Sequence, residues 1–463
     1  MKQLFSFALL VLILASDVVA SNEVDVGLFT TDRSARALSH AQAGLDDDSL
    51  DQFSLGRSFF TIPWVEAPAA TTARDGLGPL FNANSCASCH KNNGGGTAST
   101  LGGKSLSRSI VIKLGQKVDA LSNQINLNAG FKPDPVYGGQ LAINGTSDVP
   151  FEGQVTVTID NRVFTYPDGR QVTLMKPLFS VSQLNYGPLS EATTLQPRRS
   201  PSLIGMGLID AIPDAQLIHR QDESDQNNDG ISGRANWVWS VEGKQLKLGR
   251  FGWKASTTSV TEQVANAAHN DMGLTSPLFP NENCTATQTA CNRAYKSRGF
   301  DIPEQRLKAV SFYLRHLRVP VSQSAAQNEG RQLFLSTGCQ ACHQTAYTTD
   351  KGVEVNPYSD FLLHDMGDEL ADGSGITGSG LIGSGLTGTD RQVQGAEWRT
   401  APLWGLGLAK TLNSQAGYLH DGRATTVEQA ILWHDGEALS AKNRFTQLTK
   451  KERDLLLSFL DAL

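Results

Sequence analysis

The sequence predicts a mainly α-helical protein made of two tandem domains, with a β-rich insertion in the first domain and long loops. Segments of the second half repeat segments of the first half in the same order, which is typical of tandem domains. Each half ends in a helical pattern, at residues 304–317 and 450–463. The 44 Gly residues and the low share of charged residues, 19%, indicate a loop-rich globular protein rather than a coiled coil.

The composition limits the classes of partner. The 463 residues include 40 Lys and Arg against 46 Asp and Glu, a formal net charge of −6. This weakly acidic balance argues against nucleic acid as a partner. A hydrophobic content of 40% is enough for a folded core and too high for a disordered chain.

Residues 1–20 have the pattern of a signal peptide. A basic start at Lys2 leads into an apolar run over 4–15, which is too short to span a bilayer, and small residues precede a cleavage point after Ala20. The alternative is a buried N-terminal helix. Because no later segment is long and apolar enough to span a bilayer, we expect a periplasmic or secreted protein without stable membrane insertion.

Two copies of the pattern Cys-x-x-Cys-His carry the predicted chemistry. The copies consist of Cys86, Cys89 and His90 and of Cys339, Cys342 and His343. Two thiols at this spacing can add to the two vinyl groups of one porphyrin, and the following histidine then becomes the proximal iron ligand. The motifs therefore predict two covalently bound haem c groups. A zinc ribbon and a thioredoxin-like redox pair are poorer alternatives, because the pairs are far apart and neither follows a predicted buried strand.

The other two cysteines, Cys284 and Cys291, lie in a polar loop of a chain predicted to be exported. We expect a short-loop disulfide here rather than two free thiols.

Further repeats extend the comparison of the halves. Residues 199–208 resemble 399–408, and 260–265 resemble 426–431 with their Glu-Gln pairs aligned. Each half therefore runs from a haem motif through an Arg/Pro/Leu turn and a Glu-Gln helix to a closing helix. This order predicts two cytochrome-c-like domains.

The predicted domain boundary follows the first closing helix, where Pro320 ends the pattern. The first haem domain is placed at 21–320 and the second at 321–463, with 322–328 as a linker. The insertion of the first domain contains alternating strand patterns at 155–159 and 172–174 around a Pro-Asp-Gly turn. In the second domain, the Gly/Ser-rich stretch 373–389 is either a disordered surface loop or a mobile cover over a haem edge.

The sequence resembles the family of bacterial di-haem oxidoreductases, whose members are named as peroxidases or thiol oxidoreductases. Their relatives are the bacterial di-haem cytochrome c peroxidases and the di-haem enzyme that matures methylamine dehydrogenase. The resemblance begins near Asp75 and runs to the C-terminus. It rests on the strings Gly-Arg-Phe-Gly-Trp-Lys-Ala at 249–255, Leu-Leu-His-Asp-Met-Gly at 362–367, Trp-Arg-Thr-Ala-Pro-Leu-Trp-Gly at 398–405 and His-Asp-Gly-Arg-Ala at 420–424.

The resemblance implies a peroxidase-like oxidoreductase. One haem would react with hydrogen peroxide, and the other would relay electrons from a small donor protein such as a cytochrome or cupredoxin. By analogy the reactive haem is the N-terminal one, although no catalytic residue is assigned. The alternatives are an electron-transfer cytochrome serving a periplasmic dehydrogenase, and oxidation of a protein partner through Trp253, Trp398 or Trp404. Thiol chemistry is not expected, because both pairs would be consumed as thioethers.

The sixth iron ligands are predicted from helix faces and from the resemblance. His434 ends an apolar helix face, and the related peroxidases place the sixth ligand of the C-terminal haem near the end of this helix. His434 is therefore the predicted ligand, with His364 and Met366 as alternatives. For the N-terminal haem, Met272 is the tentative ligand and His269 lies beside it.

Residues 225–231 match the start of a calcium loop. Asp225, Asn227 and Asp229 would supply side-chain oxygens, and Ile231 would supply its carbonyl. The twelfth position is Asn236 instead of Glu, and the match is therefore partial. The related peroxidases hold calcium between their haem domains, which supports Ca²⁺ as a second cofactor; a solvated acidic turn is the alternative.

Overall fold

The computed structural model describes residues 27–101, 106–116, 118–119, 132–323, 328–373, 376–377, 393 and 395–463. The predicted signal peptide, the centre of the predicted linker and most of the Gly/Ser-rich stretch 373–389 lie outside the described residues.

The helices and strands are distributed over both halves of the chain. The α-helices are α1 Asp47–Thr61, α2 Cys86–Cys89, α3 Met206–Asp210, α4 Asp214–Ile218, α5 Val260–Met272, α6 Thr289–Arg293, α7 Glu304–Arg315, α8 Asn328–Ser336, α9 Ala409–Leu412, α10 Val427–Trp433, α11 Leu439–Gln447 and α12 Lys450–Asp461. The strands are β1 Phe29–Thr30, β2 Leu80–Phe81, β3 Ile110–Gln116, β4 Val118–Asp119, β5 Lys132–Pro133, β6 Asn144–Gly145, β7 Gln154–Thr165, β8 Gln171–Ser182, β9 Thr193–Arg199, β10 Trp237–Ser240, β11 Gln245–Leu248, β12 Val319–Pro320, β13 Tyr347–Thr348, β14 Glu354–Val355, β15 Leu363–Asp365, β16 Ile376–Thr377 and β17 Glu397–Arg399.

The prediction of a mainly α-helical fold is wrong. About 30% of the structure is helical and about 20% is in strands, which form many small sheets. Most of these strands are two to four residues long and pair across the chain, as in β1 with β12 and β15 with β17. Such short pairs leave no alternating pattern in the sequence, because tertiary contacts rather than local preference place them.

In each half, the closing helix crosses an earlier helix at a glycine. In the first half, a Cβ atom on Gly56 of α1 would lie 2.0 Å from the Ala309 carbonyl oxygen of α7. In the second half, a Cβ atom on Gly330 of α8 would lie 2.4 Å from the Leu455 carbonyl oxygen of α12. The absent side chain lets the two backbones touch, and the two halves thus share one helix-packing arrangement.

The insertion of the first half is β-rich, as predicted. Strand β3 lies between β5 and β9 in an antiparallel sheet, and the longer strands β7 and β8 form a separate antiparallel hairpin. The hairpin turn lies at the predicted Pro-Asp-Gly, where Gly169 adopts a φ of +84°.

The tip of the β7–β8 hairpin completes the hydrophobic core of the second half. Tyr166 and Leu174 are buried in the cluster that contains Phe445 of α11 and Phe459 of α12. The Tyr166 hydroxyl donates to Glu428 at 2.8 Å. The insertion of the first half therefore reaches into the second.

Cys284 and Cys291 form a disulfide with a Cα–Cα distance of 5.8 Å, which confirms that prediction. Within the described part of the chain, no helix combines the length and the apolar character needed to cross a membrane.

Candidate functional site

A large cavity borders both Cys-x-x-Cys-His motifs. Its volume is about 1270 Å³, which exceeds the roughly 300–1,000 Å³ of a pocket for one small ligand. Residues from the insertion, α5, α10 and the turns before them contribute to its wall. The fold thus brings the two predicted haem sites to one shared space.

The first motif forms the short helix α2. Ser85 caps this helix by accepting a hydrogen bond from the Ser88 backbone N–H at 3.2 Å. His90 follows at the C-terminus of α2, with its backbone N–H donating to the Cys86 carbonyl at 3.0 Å. Burial lowers the pKa of His90 to about 4. The ring is therefore neutral at pH 7 and can offer a lone pair to a metal.

The second motif holds its histidine through an explicit hydrogen bond. His343 Nδ1 lies 2.9 Å from the Tyr358 carbonyl oxygen, and burial lowers the pKa of His343 to about 4. Because Nδ1 donates its proton to this carbonyl, Nε2 is left as the unprotonated nitrogen. This arrangement suits a proximal iron ligand, and sequence reasoning did not identify Tyr358 as its partner.

Cys284 and Cys291 form the disulfide, which leaves the four motif cysteines for other chemistry. Burial raises the pKa of Cys86 to about 12 and also raises that of Cys342. Among the described residues, one group of side chains is close enough to share a metal ion, and it consists of Cys342, Asp360 and His364. This group includes no cysteine of the first motif. The zinc-ribbon alternative therefore gains no support.

His434 lies at the end of α10 and borders the cavity. Its Nδ1 lies 2.7 Å from the Ala430 carbonyl oxygen, which leaves Nε2 as the free nitrogen. His434 is also within electrostatic reach of His343, because a charge on it lowers the pKa of His343. The structure thus places His343 and His434 on the wall of one cavity.

The two alternatives to His434 are placed differently. His364 Nδ1 is 2.6 Å from a Glu437 carboxylate oxygen, and its Nε2 is 2.8 Å from an Asp360 carboxylate oxygen. With both ring nitrogens engaged, His364 has no free lone pair for iron. Met366 borders the cavity and packs against the second core.

The segment that leads into α5 is repeated before α10. The bridge between Phe251 and Thr257 has its counterpart between Tyr418 and Ala424. The helix starts also correspond: the Ser259 hydroxyl accepts from the Glu262 N–H, and the Thr426 hydroxyl accepts from the Gln429 N–H. In this structural register Glu262 matches Gln429. The sequence alignment of the two Glu-Gln pairs is therefore wrong by one residue, because the caps rather than the Glu-Gln pairs define equivalent positions.

Counting onward from these caps, His434 matches Ala267. Both residues border the cavity, but Ala267 carries only a methyl group. Ala265 and Ala268, which share a helix face with the predicted ligand Met272, are buried in the first core. Met272 belongs to the same core and also borders the cavity, five residues or about 7.5 Å further along the axis than Ala267.

The cavity face of α5 is polar around Ala267. Gln263, Asn266 and Asn270 border the cavity, and Gln263 Oε1 accepts a hydrogen bond from the Thr257 hydroxyl at 2.7 Å. His269 also borders the cavity, and its Nδ1 is buried without a hydrogen-bond partner among the described residues. The corresponding face of α10 is apolar except for His434.

Two arginines at equivalent positions join the halves crosswise. The Arg199 backbone N–H and Nε donate to the carbonyls of His420 and Leu419, at 2.6 and 3.1 Å. The same groups of Arg399 donate to the carbonyls of Trp253 and Gly252, at 2.9 and 2.8 Å. The turn before α10 therefore binds Arg199 of the first half, and the turn before α5 binds Arg399 of the second half. The repeat contained both arginines, but sequence reasoning assigned them no role.

The three tryptophans predicted as candidate relays lie away from the protein surface. Trp398 and Trp404 are buried, and Trp253 is half-buried with its Nε1 donating to the Arg199 carbonyl at 2.6 Å. The Trp398 ring stacks on His420 at 3.6 Å. These positions between the halves do not fit direct contact with a protein partner.

The predicted calcium loop is exposed, and Asp229 and Ile231 border the cavity. Asp225 Oδ1 accepts from the Asp229 N–H at 3.0 Å. Asn236 is buried, and its side chain donates to the Lys254 carbonyl at 2.9 Å. The side chain at the twelfth position of the calcium-loop pattern therefore lies in the protein interior and not at the loop.

The sequence and the structure were compared with those of known proteins. No curated protein matches the sequence. Among solved structures, the chain is similar to the hydrazine synthase of Kuenenia stuttgartiensis pressurized with 20 bar xenon. That likeness covers 92% of this chain and 98% of that chain, at 14% identity and a TM-score of 0.33.

Residues 16–463 match the family model described as "Di-haem oxidoreductase, putative peroxidase". The match confirms the predicted family and covers nearly the whole chain. The chain therefore belongs to the di-haem oxidoreductase family, a family of enzymes with haem cofactors.

Proposed function

We propose that the protein is an exported di-haem c-type oxidoreductase that reduces hydrogen peroxide at its N-terminal haem and relays electrons through its C-terminal haem. The observation that carries this assignment is the match of Ala267 with His434. The methyl group of Ala267 would leave room for a small ligand at a haem bound by the first motif, whereas His434 would offer an imidazole nitrogen to a haem bound by the second.

The residues at both motifs fit covalently bound haem. Each motif presents two neutral thiols and a neutral imidazole at the wall of one cavity, and the cavity volume of about 1270 Å³ suits more than one large planar group. Cys86, Cys89, Cys339 and Cys342 would form the thioethers, and His90 and His343 would bind iron. When bound, the haem groups supply the redox chemistry, with peroxide reduced at one iron and electrons relayed by the other.

The residues of the first half prepare its open side for a polar substrate. Gln263, Asn266 and Asn270 present carboxamides to the cavity around Ala267, and they can donate to and accept from a small hydroxylic molecule. This register favours an open iron over the sequence-based prediction of Met272 as sixth ligand.

The residues of the second half favour electron relay. His434 and His343 each use Nδ1 to bind a backbone carbonyl, which fixes both rings with Nε2 available for iron. Two imidazole ligands give a low-spin haem without an open site. Trp253 lies between the halves, with its backbone bound to Arg399 and its side chain bound to Arg199, a position suited to electron transfer between the two haems.

The test is a count of the haems and a reading of their ligation. Protein from cells with a c-type maturation system should keep two haems through acid–acetone extraction, and electron paramagnetic resonance should show one high-spin and one low-spin centre. Substituting Cys86 and Cys89 by Ala should remove the high-spin centre, and substituting Cys339 and Cys342 should remove the low-spin centre. Two low-spin centres without peroxide reduction would instead support an electron-transfer cytochrome, with Met272 or His269 as the additional ligand.

Three further predictions from the sequence remain proposals. These are calcium binding at Asp225, Asn227, Asp229 and Ile231, a donor protein such as a cytochrome or cupredoxin, and export directed by residues 1–20. The exposed Asp229 and the half-buried Asp225 support the first.

A further inference from the structure

We propose that Arg199 and Arg399 are a matched pair of carboxylate-binding residues, each of which takes a propionate of the haem in its own half. This inference rests on the proposed haem attachment, but it does not depend on a reaction with peroxide.

Both arginines are buried charges without a carboxylate partner. Arg199 is 7% exposed and Arg399 is 9% exposed, and neither forms an ion pair with any described residue. The acidic groups within electrostatic reach are already paired: Asp421 with Arg423 at 2.9 Å, and Asp360 with His364 at 2.8 Å. Burial lowers the pKa of each arginine to about 10, so both remain charged at pH 7. A buried charge of this kind is costly unless an anion compensates it.

The hydrogen bonds of the two side chains follow one pattern. Nη1 of each arginine donates to the carbonyl of the next residue, Ser200 at 3.2 Å or Thr400 at 3.5 Å. Nε donates to a carbonyl of the other half, as described above. These bonds fix the plane of each guanidinium and engage Nε and Nη1, while both side chains border the cavity. This leaves Nη2 of each guanidinium, held in a fixed plane, to donate to a carboxylate.

Each arginine lies near the motif of its own half. Arg199 Nη1 is 3.4 Å from the Gly96 carbonyl, shortly after the first motif, and its charge lowers the pKa of His90. Near Arg399, the Thr400 carbonyl accepts from the Ser359 hydroxyl at 2.7 Å, and the Ser359 N–H donates to the Gln344 carbonyl beside His343. Because each haem brings its own carboxylates into the cavity, the cofactor itself supplies the missing anions.

The experiment measures the midpoint potential of each haem separately, by optical and paramagnetic redox titration of the two-haem protein. In Arg399→Gln, the C-terminal haem should shift to a lower potential, because a positive charge that favours ferrous iron is gone. That potential should also become pH-dependent near the ordinary carboxyl pKa of about 4–5. The N-terminal haem should stay unchanged, and Arg199→Gln should give the reverse pattern. Arg399→Lys, which keeps the charge, should preserve most of the potential.

Arg318→Gln is the matched control. Arg318 is half-buried and donates from Nε to the Ala41 carbonyl at 2.8 Å, but it does not border the cavity. Potentials that shift no more in Arg199→Gln and Arg399→Gln than in this control would overturn the inference, as would equal shifts of both haems. Wild-type protein without bound haem would instead refute the proposed function.

A second measurement separates cofactor binding from a purely structural role. In the two-haem protein, Arg399→Met should lower the melting temperature. In a Cys339→Ala, Cys342→Ala protein, which lacks the C-terminal haem, the same substitution should raise the melting temperature because it removes an uncompensated buried charge. A decrease in both backgrounds would show that Arg399 acts only through its side-chain hydrogen bonds to the Gly252 and Thr400 carbonyls.

Discussion

The cavity-facing helices of the two halves, α5 and α10, start alike and diverge within two turns. Both begin at a capping hydroxyl, and both follow the same bridged turn. Eight residues after the capping hydroxyl, the first helix presents Ala267 to the cavity, whereas the second presents His434. The cavity face of α5 is polar, and that of α10 is apolar. Under the proposed function, this single position would decide whether an iron is open or closed, and one architecture would serve two roles.

The substitution Ala267→His tests the difference between the two helices most directly. An imidazole at this position should close the first haem and convert its high-spin signal into a low-spin one. Peroxide reduction should fall by roughly 10²-fold or more, because the substrate can no longer reach the iron. Steady-state peroxide consumption and paramagnetic resonance measure the two effects. Ala267→Leu adds bulk without a ligand, and a low-spin signal in that variant would disprove ligation by the new histidine.

The reciprocal change is His434→Ala. It should open the second haem, so that a second high-spin signal appears while the first is unchanged. Peroxide reduction should decrease by about tenfold or more, since the relay loses its low-spin ligation. If both signals remain as in the wild type, His434 packs without binding iron, and Met366 becomes the next candidate.

The insertion that distinguishes the first half contains a buried carboxyl group, which should make the stability of the protein depend on pH. Burial raises the pKa of Glu152 to about 8 from 4.5, and its carboxyl contacts the Ala142 N–H and Gln288. Between these pKa values the native state holds a proton that the unfolded state has released. The contribution of Glu152 to the free energy of unfolding should therefore be largest below pH 4.5 and decrease toward pH 8, by a few kcal/mol at most.

Urea unfolding at several pH values measures this dependence. Glu152→Gln keeps the side-chain shape without the titrating proton and should flatten the curve over the same range. A variant that retains the full slope would assign the pH dependence to another group.

The glycine crossings test how far the halves are equivalent in packing. Gly56→Ala and Gly330→Ala should each destabilise the protein, by about 1–3 kcal/mol, because the added Cβ meets a backbone carbonyl. The effect should be larger at Gly56, where the contact would be 2.0 Å instead of 2.4 Å. Calorimetry or denaturant unfolding checks the ranking.

The smallest expected effect concerns the loop at 225–231. Asp229→Ala should weaken Ca²⁺ binding by about tenfold, because ligand charge sets the affinity of such loops. Isothermal titration calorimetry of protein treated with EDTA measures this binding. Equal heats for Asp229→Ala and the wild type would identify the loop as a solvated acidic turn.

The sequence predicts those features that short motifs or long alternating patterns encode. The two Cys-x-x-Cys-His strings, the hairpin at Gln154–Ser182 and the Cys284–Cys291 disulfide all lie within local stretches of chain. The mixed α and β character was missed because strands such as β15 and β17 pair only through tertiary contacts. The register of α5 against α10 was also missed, since it depends on which hydroxyl caps each helix. The crosswise bonds of Arg199 and Arg399 join distant segments, and no local pattern reveals them.

The β7–β8 hairpin is synthesised well before the core that receives it. Its strands pair with each other in a two-stranded sheet, and a two-stranded hairpin is only marginally stable alone in water. Tyr166 and Leu174 must therefore remain exposed until α11 and α12 have been made. Because Leu439–Gln447 and Lys450–Asp461 follow the hairpin Gln154–Ser182 far along the chain, the segments that cover the hairpin are made long after it. Removing α12 should therefore leave apolar side chains of the β7–β8 hairpin exposed on an otherwise complete first half. Such a truncated chain is expected to aggregate instead of folding as a smaller protein.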